Sequence, residues 1–100
     1  MLVIVTSIKV KEGLNGAFEA VFRSATAEVQ AHEPDTLMYQ LVRSRDDSQA
    51  YRLIEMFRHD DALDMHMKMP HVQNMMLKLK GMFESQPQQE MHDTVEWNFT

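Results

Sequence analysis

Residues 51–79 have the sequence YRLIEMFRHDDALDMHMKMPHVQNMMLKL, in which a strand pattern leads into two short helix patterns. The first eight residues alternate in the manner of a β-strand. Asp60 is predicted as the N-cap of the next helix, because its carboxylate can accept hydrogen bonds from free backbone amides. Pro70 interrupts the helical pattern, so we predict separate helices over residues 61–69 and 71–83.

The rest of the chain supplies the remaining elements. Residues 2–10 are rich in β-branched side chains and predict a first strand. Apolar residues three and four apart predict a helix over residues 14–32. Residues 36–43 and 50–58 predict a hairpin, and residues 90–99 a last strand. The order βαββα(α)β predicts an α+β, ferredoxin-like fold, in which a four-stranded antiparallel sheet carries its helices on one face.

Composition restricts the class of protein. One hundred residues predict a single domain over residues 1–100. A net charge of -5 without a Lys/Arg cluster argues against nucleic-acid binding. The absence of cysteine excludes disulfides, thiolate zinc sites and a cysteine nucleophile. The start MLVIVTSIKV predicts a strand rather than a signal peptide, and no apolar run predicts a membrane helix. We therefore expect a cytoplasmic protein that binds neither membranes nor nucleic acid.

Several predicted strands are apolar on both faces, although the helices can cover only one. In the first strand, Val3 and Val5 lie on the opposite face from the other apolar residues. In the third strand, Ile54 and Met56 likewise lie on the face opposite the remaining apolar residues. An uncovered apolar sheet face would be an association surface. We therefore predict a homodimer with the two sheets packed face to face.

Two histidines are the first candidates for chemistry. His66 follows Leu63 by three and Ala62 by four residues, so it projects from the helix face that reaches the sheet. It could act as a general base or hydrogen-bond donor near neutral pH, or could be a buried histidine without a role. His71 is in the first turn after Pro70, where it could polarise a carbonyl group or simply be a solvated helix-start residue.

Glu55 is the third candidate. It shares a strand face with Leu53 and Phe57, and a buried carboxylate needs a partner. We predict a structural ion pair, with a base of raised pKa as the alternative. The second subunit could supply the partner, as could one of three nearby cations: Lys9, Arg43 or Arg52.

The sequence contains no recognised motif for binding a metal ion or a nucleotide. His66 and His71 are five residues apart across a proline, whereas two ligands on one helix face are four apart, so we predict no metal site. Three glycines provide no phosphate-binding loop. His32, His59 and His92 fall at element ends or on a polar strand face and are predicted to be surface residues.

Four segments resemble the antibiotic biosynthesis monooxygenase (ABM) domain family: VKEG at 10–13, EPDTLMYQL at 33–41, YRLIEMF at 51–57 and DDALDMHMKMPHV at 60–72. The resemblance implies a quinol monooxygenase-like member of the dimeric α+β barrel superfamily, with a pocket between helices and sheet. Typical members oxidise quinols or polyketide anthrones with O2 and no cofactor.

The resemblance also implies residue roles. His66 matches the family histidine of the Ala-Leu-x-x-His pattern and is implied as base or donor. His71 matches the Pro-His pair and is implied as a supporting residue. Seven of the ten methionines fall within residues 56–82, which suits either an adaptable pocket or a Met-rich core. The predicted pocket residues for a small-molecule substrate are Phe22, Tyr51, Met65 and Met75.

Two other functions fit the same residues. The segment from His66 to His71 resembles equally an isomerase of a phosphorylated, sugar-like compound of the autoinducer-2 type, with His66 as proton shuttle. A non-enzymatic binding or dimerisation module would leave His66 as a core residue. Haem degradation is not expected, because Thr6 stands where that branch has Asn and no tryptophan lies near Met65. A cavity of roughly a few hundred Å³ at His66 and the methionines would favour a small-molecule site.

Overall fold

Four antiparallel strands form one sheet, in which the second strand of the chain is followed by the third, the first and the fourth. The computed structural model describes residues 1–96. The elements are β1 (Leu2–Lys9), α1 (Asn15–His32), β2 (Thr36–Arg43), β3 (Ala50–Phe57), α2 (Asp60–Lys68), α3 (Pro70–Leu79) and β4 (Gln88–Asp93). This order and topology confirm the predicted ferredoxin-like α+β fold.

The core lies between the sheet and a layer of helices on one of its faces. α1 buries Phe18, Phe22, Ala25 and Val29, which recur every three or four residues and so share one helix face. The ring of Phe18 lies 5.0 Å from that of Phe22 and 4.8 Å from that of Tyr51, centroid to centroid. This packing fixes α1 against both the sheet and α3.

The last helix is shorter than predicted. α3 ends at Leu79, not at residue 83, because the chain turns through Gly81 with a positive φ of 82°. That left-handed conformation is readily adopted by glycine. Phe83 then forms a backbone bridge with Val10, just beyond the end of β1. The apolar spacing continues past the turn, which explains why the sequence predicts a longer helix.

The prediction of Asp60 as an N-cap is wrong. His59 occupies the N-cap position with extended backbone (φ -156°, ψ 170°), and its side chain makes no capping hydrogen bond. Asp60 and Asp61 lie in the first turn of α2, where their carboxylates interact favourably with the positive end of the helix dipole.

The last strand begins and ends earlier than predicted. β4 pairs with β1 from Gln88 to Asp93, and all six side chains are exposed. Beyond the strand, Thr94 still hydrogen-bonds to the carbonyl of Met1 through its backbone amide and its hydroxyl. Trp97 and Phe99, predicted to continue this strand, lie outside the described residues.

The sheet face opposite the helices carries a continuous set of apolar side chains. The strand register places Val5 beside Ile54, and Val3 and Met38 beside Met56. Met56 is nearly buried by its neighbours, and the others are partly exposed. Separately, none of the helices within residues 1–96 combines the length and apolar character needed to cross a membrane.

Candidate functional site

The candidate site is centred on Glu33, at the carboxyl end of α1. Glu33 follows the buried Val29 by four residues and therefore continues the inward face of the helix. Its backbone amide still bonds to the Val29 carbonyl at 2.9 Å, but Pro34 prevents further helix. The residue is only 7% exposed, so the carboxylate needs partners inside the protein.

Three side chains satisfy the Glu33 carboxylate. Oε1 accepts a hydrogen bond from Thr36 Oγ1 at 2.8 Å and lies 2.6 Å from Nδ1 of His66. Oε2 lies 2.5 Å from Nε2 of His71. One carboxylate thus brings together the two histidines that the sequence singled out.

His66 lies between two carboxylates. It is on the face of α2 that also buries Ala62, and it is 2% exposed. Its Nδ1 faces Glu33, and its Nε2 lies 3.4 Å from Oε1 of Glu55. With an acceptor at each nitrogen, the doubly protonated imidazolium is the form that satisfies both contacts.

The charges in this cluster stabilise one another. Burial acts to lower the pKa of His66, but the hydrogen bonds to Glu55 and Glu33 outweigh it and raise that pKa above its ordinary value. Burial likewise acts to raise the pKa of Glu33, and the hydrogen bonds from His71, His66 and Thr36 outweigh it and lower the pKa. The cluster therefore favours a charged His66 beside a charged Glu33.

Tyr39 closes the cluster on the sheet side. Its ring lies 5.6 Å from that of His66, and its hydroxyl donates a hydrogen bond to Sδ of Met75 at 3.2 Å. Burial, together with the nearby charges of Glu55 and Glu33, raises the pKa of Tyr39. The phenol consequently stays protonated and acts as a neutral hydrogen-bonding group.

His71 is the member of the cluster that reaches solvent. It lies in the first turn of α3, and its side chain is 11% exposed. Nε2 contacts Glu33, whereas no residue within 1–96 hydrogen-bonds to Nδ1. Since the described part of the chain contains no buried side-chain nitrogen without a partner, Nδ1 is accessible to solvent.

A groove of about 690 Å³ runs between α1 and α3, with His71 in its wall. The ring of His32 lies 6.1 Å from that of His71, so the end of α1 meets the start of α3 at this point. The groove has apolar and polar lining residues, among them Val21, Ala25, Met69, Met75, Asn74 and Lys78.

The structure distributes the predicted pocket residues over several cavities. Met75 lines the groove beside His71. Met65 lines a crevice of about 100 Å³ next to His66. Phe22 and Tyr51 line a separate groove of about 620 Å³ on the other side of α1.

The structure places Glu55 beside His66 and not beside the cations suggested by the sequence. Arg43 pairs with Glu19 at 3.4 Å, and Lys9 pairs with Asp47 at 3.5 Å, both near the surface. A cross-strand partner is the usual expectation for a strand residue. Here the partner comes from the helix layer, which sequence order does not reveal.

Glu33 itself was missed by the sequence reasoning, which assigned it only to the end of a helix. A signal was nevertheless present: the buried series Phe22, Ala25 and Val29 predicts residue 33 on the same face. Of the histidines predicted at the surface, His32 is exposed but lines the groove, and His59 and His92 are exposed and contact Asp35 and Glu90.

The arrangement suits proton transfer better than metal coordination. Both histidines contact Glu33 directly, so no space for a cation remains between imidazole and carboxylate. Within residues 1–96, no group of three or more His, Asp or Glu side chains has a geometry that could hold a metal ion.

Comparison with known proteins identifies the family. The model of the antibiotic biosynthesis monooxygenase family matches residues 1–77. The structure of a candidate antibiotic biosynthesis monooxygenase from Caulobacter crescentus is 30% identical, with a TM-score of 0.91 over 95% of this chain and 90% of that one. No curated protein matches the sequence.

More distant structures share the fold. A candidate antibiotic biosynthesis monooxygenase from Nitrosomonas europaea is 16% identical, with a TM-score of 0.88 over 96% of this chain and 100% of that one. Another from Deinococcus radiodurans is 13% identical, with a TM-score of 0.83 over 100% of this chain and 98% of that one. With the family model covering most of its length, the chain belongs to the antibiotic biosynthesis monooxygenase family.

Proposed function

We propose that the protein is a cofactor-independent monooxygenase that oxidises a small, electron-rich aromatic compound, a quinol or an anthrone, with O2. Membership of the family supports a general monooxygenase-type role. The observation that carries the finer proposal is the contact of one buried carboxylate, Glu33, with His66 and with the groove-lining His71.

His71 is the general base in this proposal. When its Nε2–H donates to Glu33, the lone pair of Nδ1 is free to take a proton from a substrate bound in the groove. A carboxylate behind a histidine fixes the tautomer and orientation of the ring and stabilises the imidazolium that forms. The pair therefore supplies a base that is both exposed to substrate and oriented.

His66 acts as a positioning residue. Its burial and its two carboxylate neighbours leave neither nitrogen available for substrate. Its positive charge instead keeps Glu33 ionised, which in turn holds His71. The geometry therefore favours exchanging the roles implied by the family resemblance, in which His66 was the base and His71 the support.

The chemistry balances without a further reductant. Deprotonation of an anthrone CH2 gives a carbanion that passes one electron to O2, and the resulting radical pair combines to a peroxide. The peroxide takes the proton from His71, and loss of water leaves the ketone: CH2 plus O2 gives C=O plus H2O. The protein contributes the base and the orientation of the substrate.

The groove matches an aromatic substrate better than a phosphorylated one. Apolar side chains such as Val21, Met69 and Met75 offer surface for flat rings. Among the described residues that line the groove, Lys78 is the single Lys or Arg, so a phosphate would find few charge-assisted donors. The sugar-phosphate isomerase alternative consequently has less support.

We also propose that the protein works as a homodimer through the outer sheet face. The apolar set formed by Val3, Val5, Ile54 and Met56 lies on adjacent strands opposite the helices. A second copy of the same face would cover it by a two-fold operation, as is usual for dimers. The catalytic cluster lies on the helix side and remains accessible in such an assembly.

The test is an O2-uptake assay with a panel of hydroquinones and anthrones. For His71→Gln we expect kcat/KM to fall by about 10²–10⁴-fold, the contribution of a positioned general base. The matched control is His92→Gln, which alters an exposed histidine on β4 and should retain wild-type rates. Unchanged O2 uptake in His71→Gln would remove His71 as the base, and turnover of a phosphorylated ketose without O2 uptake would favour the isomerase.

A further inference from the structure

A small crevice beside the cluster is distinct from the substrate groove. It lies between the α1–β2 connection and α2 and has a volume of about 100 Å³. Ala62, Met65 and Met69 contribute to a mainly apolar surface, and His66 and Glu33 also line it. The buried histidine and carboxylate thus lie against apolar side chains here, and the exposed side chains of His59 and Asp61 also line the crevice.

The buried polar atoms that line the crevice have partners elsewhere. The carboxylate of Glu33 already interacts with Thr36, His66 and His71, and the two nitrogens of His66 face Glu33 and Glu55. Within residues 1–96, no buried side-chain nitrogen or oxygen lacks a partner. A bound water typically needs about two to four polar partners, so the buried wall of the crevice offers water little and favours an apolar guest.

Size restricts that guest further. An apolar cavity of about 150 Å³ accommodates benzene or xenon, so about 100 Å³ is too small for a fused aromatic substrate but sufficient for a diatomic gas. Met69 and His32 line both the crevice and the groove. A guest in the crevice therefore lies one side chain away from a substrate in the groove.

We propose that this crevice is the binding site for O2. The inference rests on the proposed oxygenase function and assigns O2, the second substrate, a binding site separate from that of the aromatic substrate. O2 is small and apolar, and it enters the crevice from solvent past Met65, which is 61% exposed. From there O2 passes Met69 to reach the groove, where it combines with the substrate anion beside His71.

The binding test uses O2 itself as the probe. In protein labelled with [13C-methyl]methionine, paramagnetic O2 under pressure should relax the Met69 methyl group more than that of Met67. Met67 is in the last turn of α2, two residues before Met69, is 43% exposed and lines neither cavity, so dissolved O2 without a site would relax Met67 at least as strongly as Met69. Equal relaxation of the two methyl groups in the wild type would overturn the proposal.

Two crevice-filling variants test the role in turnover. Ala62→Val fills the crevice from its buried side, and Met65→Phe fills it from its rim if Ala62→Val does not fold. We expect KM for O2 to rise about fivefold or more with KM for the aromatic substrate unchanged, and Met67→Phe to match the wild type. Unchanged KM for O2 in both filled variants would overturn the assignment. If O2 relaxes Met69 preferentially but no substrate of the panel causes O2 uptake, the crevice binds O2 and the proposed oxygenase function is wrong.

Discussion

The side chain of Glu33 links the two histidines, and its environment determines its chemistry. In water a carboxylate and an imidazole interact weakly, whereas in this nearly buried cluster each depends on the other for its charge. Loss of one member therefore leaves an uncompensated charge on another. This coupling makes both stability and activity sensitive to single substitutions.

Glu33→Gln removes the negative charge with little change in shape. We expect the free energy of unfolding to fall by roughly 3 kcal/mol, because His66 then keeps only one carboxylate partner. We also expect kcat to fall about 10²-fold or more with KM nearly unchanged, because His71 loses its orienting acceptor. Urea unfolding and O2 uptake measure the two effects. Glu28→Gln, which removes the exposed pair with His32, should lower the free energy of unfolding by less than about 1 kcal/mol.

The pH dependence of stability follows from two opposite shifts. The folded pKa of His66 is raised above its ordinary 6.5, so its contribution is complete below pH 6.5 and is lost as the pH rises through the folded pKa. The folded pKa of Glu33 is lowered below its ordinary 4.5, so its contribution is complete above pH 4.5 and is lost on acidification. We expect maximal stability between these values, measured by urea unfolding across pH.

Glu33→Gln provides the control for this profile. The variant lacks one of the two partners that raise the pKa of His66, so its loss of stability above pH 6.5 should be smaller than in the wild type. Its decline on acidification should also weaken, because the carboxylate with the lowered pKa is gone. A wild-type stability that rises with pH above 6.5 would contradict the assigned charges.

At the scale of elements, the break between α2 and α3 positions His71. Met69 has extended backbone (φ -66°, ψ 136°), the conformation that a following proline favours, and Pro70 occupies the first turn of α3. His71 therefore lies at the start of a new helix and contacts Glu33 from there. Without the break it would be part of a continued α2 and would point in another direction. The proline fixes the direction of a candidate catalytic side chain.

Pro70→Ala should therefore reduce activity more than stability. Alanine permits helical backbone at Met69, which would displace His71 from Glu33, and we expect kcat/KM to fall by about 10-fold or more. Thermal unfolding should change by only a few degrees, since a compatible proline contributes about 0.4–1 kcal/mol through the unfolded chain. Pro87→Ala, in the segment before β4, should show a comparable thermal change with normal turnover. Equal activity in the two variants would show that the break does not position His71.

Helices and strands could be predicted where a local sequence pattern determines their bounds. They were predicted less well where contacts between residues remote in sequence determine those bounds. Apolar spacing predicted α1, and the position of Pro70 predicted the division into α2 and α3. The end of α3 depends on the turn at Gly81 and on pairing of Phe83 with Val10, which are remote in sequence. His66 was predicted to project inward, as the structure has it, but its partner Glu33 is 33 residues away.

At the scale of the whole molecule, the two faces of the sheet have different environments. The helix side holds the core and the charged cluster, where β2 and β3 are covered by α1 and α2. The outer side presents apolar residues from β1, β2 and β3 without a covering layer in the single chain. Burial of apolar surface stabilises at about 25 cal/mol per Å², so this exposure favours association.

Ile54→Lys tests the dimer directly. The side chain is partly exposed in the single chain, so a lysine can keep its charge in water and the fold should persist. In a face-to-face dimer the same charge would be buried opposite its own copy, which costs several kcal/mol and should give a monomer. Leu77→Lys is the matched control, because Leu77 is 60% exposed on α3, away from the sheet.

Analytical ultracentrifugation at micromolar concentration should show a dimer for the wild type and the control. A monomeric wild type would contradict the proposal, and a dimeric Ile54→Lys would place the interface elsewhere.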